Sequence, residues 1–405
     1  MRSFLKKEII IKREVSTNYE IASILSENKN KTVFFENVKG YKNFRIVGNV
    51  CPTRERVCEA LGTTKQEFIY TVLEALKNLK DPTIVQKAKF KEKKVSSLKE
   101  LPILKHFRED AGRYITSGVV IARDPKYGRN ASIHRLLVLN ENKMAIRLCE
   151  RDLYRYFRRA SRNGKGLEIA IAIGVHPAIL FSAAFSYSIY LDELKLATSL
   201  LGGLELAECE TVDLEVPKES EIVIEGKILP NEEAWEGPFM DITGTYDIRR
   251  KQPVIEVTNI MHRRDAIYHA LLPAGEEHKL LMGMPQEPRI FESVQRIAEV
   301  KNVCLTRGGC NWLHGVISIK KNSPGEAKNV ILSALAAHPS MKHVIVVDDD
   351  IDIFNPVEVE YAIATRFQGD RDLIIIKGAK GSSLDPSSKK GGVTTKLGID
   401  ATRKE

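Results

Sequence analysis

The sequence lacks the features that mark several common classes of protein. Its six cysteines are scattered and contain no C-x-x-C pair, which argues against zinc ribbons and iron–sulfur ligation and indicates a reducing compartment. No window approaches the roughly 18 consecutive apolar residues that a membrane span requires. The first 15 residues also lack the apolar core of a signal peptide. We therefore expect a cytoplasmic protein without a membrane span.

Familiar nucleotide-binding and hydrolase motifs are also missing. The chain has no G-x-G-x-x-G after a strand, no Walker A motif and no G-x-S-x-G, which argues against an ordinary nicotinamide or ATP enzyme. The net charge of +9 arises from 62 basic and 53 acidic residues that are well mixed, so we expect most of the excess on solvated surface. The densest basic run, at 87–94, contains Phe90 as its one aromatic residue, and we expect no nucleic-acid partner.

The 405 residues suffice for two or three domains, and the texture of the sequence changes twice. Residues 1–98 resemble an α/β segment, with strands at 32–35 and 44–47 and helices at 53–61 and 64–79, the second opened by Thr64 and Glu67. Residues 99–265 carry many short strands, which predicts a β-barrel or sandwich. Residues 266–405 alternate strand and helix, with parallel strands predicted at 343–347 and 373–376. The fold class is therefore α/β, or α+β, and the Gly-rich tail from Gly381 is expected to be mobile unless docked.

A short loop with the sequence W-E-G-P-F-M-D carries two carboxylates, Glu236 and Asp241. Glycine permits backbone angles that other residues resist, and proline fixes its own φ, so the loop is expected to be rigid. Such a loop can hold two acids at a fixed separation, as acid–base chemistry requires. Taken alone, the loop fits an ordinary turn with solvated acids at least as well.

Arg135 lies within a strand predicted over 133–139, where an unpaired charge would be costly. Glu236 or Asp241 would be a suitable partner. Two interpretations stay open, a structural ion pair and a guanidinium that binds a substrate carboxylate in fork geometry.

Three other residues, Asn130, Asp152 and Glu193, form an all-oxygen set suited to Mg²⁺ or Mn²⁺. Nothing in their spacing shows that they converge. The acidic run at 348–352 is a further candidate metal site, but acids that cap a turn after the preceding strand explain it better.

The chain resembles the UbiD family of reversible decarboxylases, which use prenylated FMN. The resemblance covers nearly the whole chain, including D-P at 124–125, N-A-S-I-H-R at 130–135, G-V-H-P at 174–177, E-G-P-F at 236–239, V-D-D-D-I-D at 347–352 and K-L-G-I-D-A-T at 396–402. It implies an N-terminal α/β domain (1–98), a split β-barrel that binds the flavin (99–265) and a C-terminal α/β domain used in oligomer contacts (266–405). It further implies a homo-oligomer, either a dimer or a hexamer, and a flavin prenyltransferase that supplies the cofactor.

The resemblance also implies catalytic roles. Arg135 would orient the substrate carboxylate, Glu236 would hold Arg135, and Asp241 would protonate the carbon that has lost CO₂. Met240 stands where the family usually has glycine, which places a side chain beside the acid and narrows the expected substrate space.

The implied cofactors are prenylated FMN and a divalent cation, Mn²⁺ or Mg²⁺, with K⁺ as a further candidate. The implied cofactor-binding residues are Asn130, Ser132, Ile133, His134, Arg135 and Glu193. Asn130 and Glu193 match two of the family's three metal ligands, whereas the third, a histidine, is replaced by Arg151 or Asp152. We prefer Asp152 as the metal ligand because a carboxylate can ligate a hard cation and a guanidinium cannot.

Within the family, the chain looks most like the archaeal group that converts trans-anhydromevalonate 5-phosphate to isopentenyl phosphate in a modified mevalonate pathway. A phosphorylated substrate would need further cations near the site, and His134, Arg147 and Arg151 are candidates. The alternative is decarboxylation of a polyprenyl-hydroxybenzoate or another aromatic acid in quinone synthesis. A flavin-binding relative without catalysis would lack the Arg-Glu-acid set, and all three members are present here.

Overall fold

The structure is a computed structural model that describes residues 1–389 and 391–404. The chain divides into two compact units, one formed by Met1–Lys65 with Glu74–His278 and the other by Gln66–Leu73 with Lys279–Glu405. Within the described residues, we find no helix with the length and apolar character needed to cross a membrane.

The strands and helices follow one another along both units. The strands are β1 Ile9–Val15, β2 Val33–Val38, β3 Arg45–Gly48, β4 Thr83–Val85, β5 Lys93–Val95, β6 Tyr114–Ile115, β7 Val119–Asp124, β8 Gly128–Ile133, β9 Leu136–Val138, β10 Lys143–Ile146, β11 Leu167–Ile173, β12 Glu205–Glu208, β13 Glu215–Pro217, β14 Ile222–Glu236, β15 Phe239–Met240, β16 Tyr246–Asp247, β17 Arg250–His262, β18 Ile267–His269, β19 Glu299–Leu305, β20 His314–Lys320, β21 His343–Asp348, β22 Leu373–Lys380 and β23 Val393–Asp400. The α-helices are α1 Glu20–Glu27, α2 Arg54–Ala60, α3 Phe68–Lys77, α4 Asp152–Arg162, α5 Pro177–Ala183, α6 Glu193–Leu201, α7 Glu276–Gly283, α8 Glu287–Val294, α9 Glu326–Ala337 and α10 Pro356–Arg366.

A nine-stranded sheet forms the centre of the first unit, with strand order β6-β9-β10-β17-β14-β11-β7-β8 and β5 paired to β17. Every pairing within it is antiparallel. Strands β6 and β8 stand at the two ends of this order among the described residues. Alternate residues such as Ile169, Ile171 and Ile173 are buried in its apolar core, as the two-residue period of a strand requires. The same unit holds a four-stranded sheet, β1-β2-β3-β18, and a three-stranded sheet, β13-β12-β4.

The second unit contains a five-stranded sheet with strand order β19-β20-β21-β23-β22. Strands β20, β21 and β23 run parallel, whereas β22 is an antiparallel edge strand. The parallel prediction for 343–347 is confirmed, and the one for 373–376 is wrong, because β22 pairs antiparallel with β23. The tail predicted to be mobile unless docked supplies β23, an interior strand of this sheet. The mixed α/β class is confirmed.

Two local predictions in the first half of the chain are corrected. Helix α3 covers Phe68–Lys77 and follows a turn at 65–67, so it is shorter at both ends than the predicted helix at 64–79. The strand predicted over 133–139 is interrupted after Ile133, and the chain resumes pairing only at Leu136. The interruption matters for the site, because it contains Arg135.

Candidate active site

Arg135 lies between two strands of the central sheet rather than inside one. Strand β8 ends at Ile133 and β9 starts at Leu136, so the side chain of Arg135 leaves the pleat of the sheet. Its carbonyl accepts a hydrogen bond from the amide of Arg147 at 3.2 Å, which fixes the backbone there. The side chain is 9% exposed. A charge this deeply buried needs partners, and three carboxylates supply them.

The guanidinium of Arg135 contacts Glu236, Asp241 and Asp247. Nε and Nη2 donate to the two oxygens of Glu236 at 2.8 and 2.9 Å, a bidentate pair. Nη1 donates to Asp241 Oδ2 at 3.2 Å, and Nη2 also donates to Asp247 Oδ2 at 2.8 Å. Burial opposes the charge on Arg135, but these carboxylates outweigh it and raise the pKa of the guanidinium. The predicted Arg-Glu-acid set therefore converges in space, while the roles of its members stay predictions.

Glu236 is held by a residue that the sequence did not single out. The hydroxyl of Tyr114 donates to Glu236 Oε1 at 3.1 Å and accepts from the amide of Gly237 at 3.2 Å. Tyr114 and Glu236 are both fully buried. The ring of Phe239 lies 4.5 Å from that of Tyr114 and 4.8 Å from the Arg135 guanidinium, measured to ring centroids. Glu236 is thus fixed on two sides.

The loop that carries the acids is built around Gly237. Its φ of +87° falls in the left-handed region, and a Cβ there would lie 2.9 Å from the carbonyl oxygen of Ile248. After it, β15 and β16 form a small hairpin in which Phe239 pairs with Asp247 and Met240 with Tyr246. Asp241 begins the connecting turn, where its own carboxylate accepts from the next amide at 2.8 Å. The predicted rigidity of this loop has a physical basis.

Asp247 is the carboxylate that sequence reasoning missed. It accepts from Arg135 and, with both oxygens, from Arg250 at 2.6 and 2.7 Å. Burial opposes its charge, but the hydrogen bond from Arg250 and the charge of Arg135 outweigh burial and lower the pKa of Asp247. The available signal was the spacing of Asp247 and Arg250, three residues apart at the base of a hairpin.

Asn130 and Glu193 meet at the other end of the segment 130–135. Asn130 Nδ2 donates to Glu193 Oε1 at 3.0 Å, and the amide of Ala131 donates to Glu193 Oε2 at 2.8 Å. Burial, together with the charges of Asp192 and Asp152, raises the pKa of Glu193 well above its usual range, against the hydrogen bond from Ala131. The carboxyl of Glu193 therefore sits among acids and amides, in surroundings that favour a cation.

Ser132 and His134, the next two polar residues of this segment, leave one hydrogen-bond acceptor without a donor. Ser132 Oγ lies 3.0 Å from both Asn130 Oδ1 and His134 Nε2, while His134 Nδ1 lies 3.0 Å from the carbonyl of Arg147. Burial and the nearby arginine charges lower the pKa of His134 to about 4, so its ring is neutral near pH 7. Its single proton belongs on Nδ1, facing the carbonyl, and the one Ser132 proton cannot serve both remaining acceptors. A cation at Asn130 Oδ1 would resolve this surplus.

Asp152 is the first residue of α4, following Arg151 at the N-cap. It lies near enough to Glu193 for its charge to raise the pKa of that carboxyl. The buried hydroxyl of Tyr156 has no hydrogen-bond partner among the described residues, and burial raises its pKa, as do the charges of Glu193 and Asp152. Arg151 is exposed. These observations favour Asp152 over Arg151 in the place of the third metal ligand, and that role stays a prediction.

Two further predictions concern cations and metals. The lowered pKa of His134 argues against this residue as a cation for a phosphate, while Arg147 and Arg151 stay candidates. In the acidic run at 348–352, Asp348 and Asp350 pair with Arg366 at 2.9 and 2.7 Å, which agrees with a structural role. Across residues 1–389 and 391–404, no group of three or more His, Cys, Asp or Glu side chains is arranged to hold a metal. The candidate set of Asn130, Asp152 and Glu193 contains only two such side chains, so it is not a group of that kind.

Comparison with known proteins places this geometry in a family. Three family models match in order: the 3-octaprenyl-4-hydroxybenzoate carboxy-lyase N-terminal domain over residues 6–76, its Rift-related domain over 77–276 and its C-terminal domain over 279–401. The anhydromevalonate phosphate decarboxylase of Methanothermobacter thermautotrophicus is 48% identical over 409 residues, with 99% of this chain and 96% of the relative covered. The protein of that name from Methanosarcina mazei is 43% identical, with 98% and 93% covered.

Solved structures agree with the family models. The UbiD-class enzyme HmfF from Pelotomaculum thermopropionicum, in complex with FMN, is 42% identical with a TM-score of 0.95, covering 99% of this chain and 92% of its own. The 3,4-dihydroxybenzoic acid decarboxylase of Enterobacter cloacae is 28% identical with a TM-score of 0.90, covering 98% and 91%. With the family models, the identities and the shared architecture all in agreement, this chain belongs to the UbiD family of carboxy-lyases.

Proposed function

We propose that this chain decarboxylates trans-anhydromevalonate 5-phosphate to isopentenyl phosphate, using prenylated FMN. The observation that carries the proposal is the buried guanidinium of Arg135, which donates two hydrogen bonds to Glu236 and one to Asp241. Five archaeal relatives with 37–48% identity bear the name anhydromevalonate phosphate decarboxylase. Structural neighbours that act on 3,4-dihydroxybenzoic acid are 27–28% identical. This difference favours the isoprenoid acid over an aromatic one.

The cofactor assignment rests on the acceptor-rich end of the segment 130–135. Asn130, Asp152 and Glu193 supply oxygen ligands for Mn²⁺ or Mg²⁺, and the leftover acceptor at Asn130 supports a bound cation. Such a cation would hold the flavin phosphate. Ser132, Ile133 and His134, in the same segment, are the other predicted cofactor-binding residues. When bound, prenylated FMN supplies a ring that accepts the electron pair left by departing CO₂. HmfF has been solved with FMN and, in an evolved dimeric form, with prenylated FMN.

Arg135 would bind the substrate carboxylate through Nη1. Its contact with Asp241, at 3.2 Å, is the longest of its four ionic contacts, the others being 2.8 to 2.9 Å. The incoming carboxylate would therefore displace Asp241 and leave Glu236 in place. The bidentate pair with Glu236 prevents the guanidinium from following its new partner, so the carboxylate is held in one orientation.

Asp241 would then deliver the proton. Once displaced from Arg135, its carboxyl would take up a proton from solvent and lie beside the carbon that loses CO₂. The electron pair that remains after CO₂ leaves would then form the new C–H bond with the proton from Asp241. Its side chain is 16% exposed, against 0% for Glu236, so Asp241 can recover a proton from solvent between turnovers.

The test is reconstitution with prenylated FMN and Mn²⁺, followed by a CO₂-release assay. We expect release from trans-anhydromevalonate 5-phosphate and none from polyprenyl-hydroxybenzoate or 3,4-dihydroxybenzoate. Release from the aromatic acids alone would contradict the isoprenoid assignment. The domain bounds 1–98, 99–265 and 266–405, a homo-oligomeric state, a flavin prenyltransferase partner, a K⁺ site and a cytoplasmic location remain predictions.

A further inference from the structure

One carboxylate oxygen in the first unit is surrounded by three guanidinium groups. Asp247 Oδ2 lies 2.8 Å from Arg135 Nη2, 2.6 Å from Arg250 Nη1 and 3.8 Å from Arg147 Nε. Arg135 has Glu236 and Asp241 as further partners. Among the residues that the structure describes, Arg147 and Arg250 form ion pairs with Asp247 alone.

Counted together, these three arginines balance the three carboxylates of the cluster, but direct contacts leave the two outer arginines with one carboxylate between them. Asp247 offers one negative charge to Arg147 and Arg250, which carry two positive charges, and it also shares an oxygen with Arg135. The two outer guanidiniums are therefore short of anionic partners. Like charges brought together in a partly buried place repel one another unless an anion joins them.

The outer two arginines are also the accessible ones. Arg147 and Arg250 are 23% and 26% exposed, whereas Arg135 is 9% exposed. A ligand can reach them from solvent while Arg135 stays enclosed. Because all three guanidiniums lie within 3.8 Å of the same oxygen, an anion bound by the outer pair would lie close to a carboxylate bound by Arg135.

Strand pairing explains why Arg250 points toward this cluster and its neighbours do not. Arg250 is opposite Glu236 in the pairing of β14 with β17, and Lys251 is opposite Trp235. Successive residues of a strand face opposite sides, so Arg250 shares the face of Glu236. Lys251 and Arg249 instead lie over the ring of the half-exposed Trp235, 5.2 and 4.7 Å from its centroid. The basic run at 249–251 is thus divided between two faces.

We propose that Arg250 and Arg147, oriented by Asp247, bind the phosphate of the substrate as a second anion site beside Arg135. This inference rests on the proposed function, because it assumes a substrate with a carboxylate at one end and a phosphate at the other. Guanidinium groups carry five N–H donors that match phosphate oxygens. Asp247 holds Arg250 through one hydrogen bond from each of Nη1 and Nη2, so a phosphate would bind the Nε–H and the remaining Nη–H donors. An aromatic monoacid offers nothing to this second site, so the pair selects against such substrates.

Direct binding of the product separates the phosphate contact from catalysis. The reconstituted enzyme is titrated by calorimetry with isopentenyl phosphate and with isopentenol, using wild type, Arg250→Gln and the matched control Lys251→Gln. Loss of one charge-assisted contact should weaken isopentenyl phosphate binding roughly 10- to 100-fold in Arg250→Gln and less than about twofold in Lys251→Gln. Binding of isopentenol should not change. Unchanged binding of isopentenyl phosphate by Arg250→Gln would overturn the inference.

Steady-state kinetics supply an independent readout. Arg250→Gln should raise KM for the phosphorylated acid and leave kcat within a few-fold, Arg250→Lys should restore part of the loss, and Arg147→Gln should act in the same direction. If Arg250→Gln lowered kcat/KM equally for the phosphorylated acid and for its dephosphorylated analogue, Arg250 would only support Arg135, which would refute the phosphate role. If wild type decarboxylates aromatic acids alone, the proposed function fails; if it accepts the phosphorylated acid and Arg250→Gln is unaffected, only this inference fails.

Discussion

Two buried tyrosines of the first unit make a matched pair for testing how Glu236 is held. Tyr114 and Tyr156 are both 0% exposed. The hydroxyl of Tyr114 bridges the Glu236 carboxylate and the Gly237 amide, whereas that of Tyr156 has no partner among the described residues. Phenylalanine removes a single oxygen at either position, so the difference between the two variants isolates the hydrogen bonds.

The size of the effect follows from these contacts. Tyr114→Phe removes a hydrogen bond to a charged carboxylate, about 1.5–3 kcal/mol, and leaves a buried amide unpaired, about 1–3 kcal/mol. Because the two contributions overlap, we expect a total loss of about 3 kcal/mol in the free energy of unfolding. Tyr156→Phe removes a buried hydroxyl that makes no hydrogen bond among the described residues. This change should leave the free energy of unfolding unchanged or slightly raise it.

Urea unfolding of the cofactor-free protein measures both variants under the same conditions. Tyr114→Phe should shift the midpoint to lower urea without a change in slope, and it should also reduce turnover of the reconstituted enzyme by loosening Glu236 behind Arg135. If the two variants unfold alike, the hydroxyl of Tyr114 contributes nothing to the site. That result would refute the view that Glu236 depends on this second contact.

Four further predictions follow from the same geometry. Asp241→Asn should keep flavin and metal but lose about 10²–10⁴-fold in turnover; wild-type rates would remove Asp241 from the acid role. Asp152→Ala should lower Mn²⁺ and flavin retention about tenfold or more, and unchanged metal content measured by mass spectrometry would favour Arg151. Gly244→Ala, at φ +73° with no atom near the new Cβ, should lower the free energy of unfolding measured in urea by about 1–2 kcal/mol. Gly237→Ala should lower it by clearly more, and equal losses would contradict the clash with Ile248. Burial lowers the pKa of His106 to about 3, so the unfolded state binds more protons between pH 3 and 6.5 and stability should rise with pH across that window; His106→Leu should flatten the slope, and an unchanged slope would exclude His106.

The carboxylate set was predictable because its members lie in short, recognisable segments. Glu236 and Asp241 share one stiff loop, and Arg135 follows Asn130 in a single run. Chemistry alone then required a partner for a buried guanidinium. Asp247 could not be found in this way, because it lies in a polar hairpin that resembles solvated surface. Only the pairing of β15 with β16 brings it opposite Phe239 and under Arg135.

The C-terminal tail illustrates a different limit. Glycine, serine and lysine dominate the region from Gly381, and such composition usually marks a mobile segment. Strand β23 nevertheless lies between β21 and β22, and Lys396 is buried there with its ammonium donating to the carbonyls of Leu335 and Pro339 at 3.2 and 2.7 Å. The lysine satisfies carbonyls at and beyond the end of α9. A tertiary partner, invisible in local composition, decides the structure of this segment.

The three carboxylates around Arg135 are chemically alike, and their hydrogen bonds distinguish their roles. Glu236 would lose two guanidinium contacts and one from Tyr114 on protonation, and Asp247 would lose contacts to Arg135 and Arg250. Asp241 has one contact to Arg135, at 3.2 Å, and one to a backbone amide. A carboxyl that must give up and regain a proton in every cycle is best placed where that exchange breaks the fewest ionic contacts. Among the three, this geometry supports the proposed role of Asp241 as the proton donor and anchoring roles for the other two.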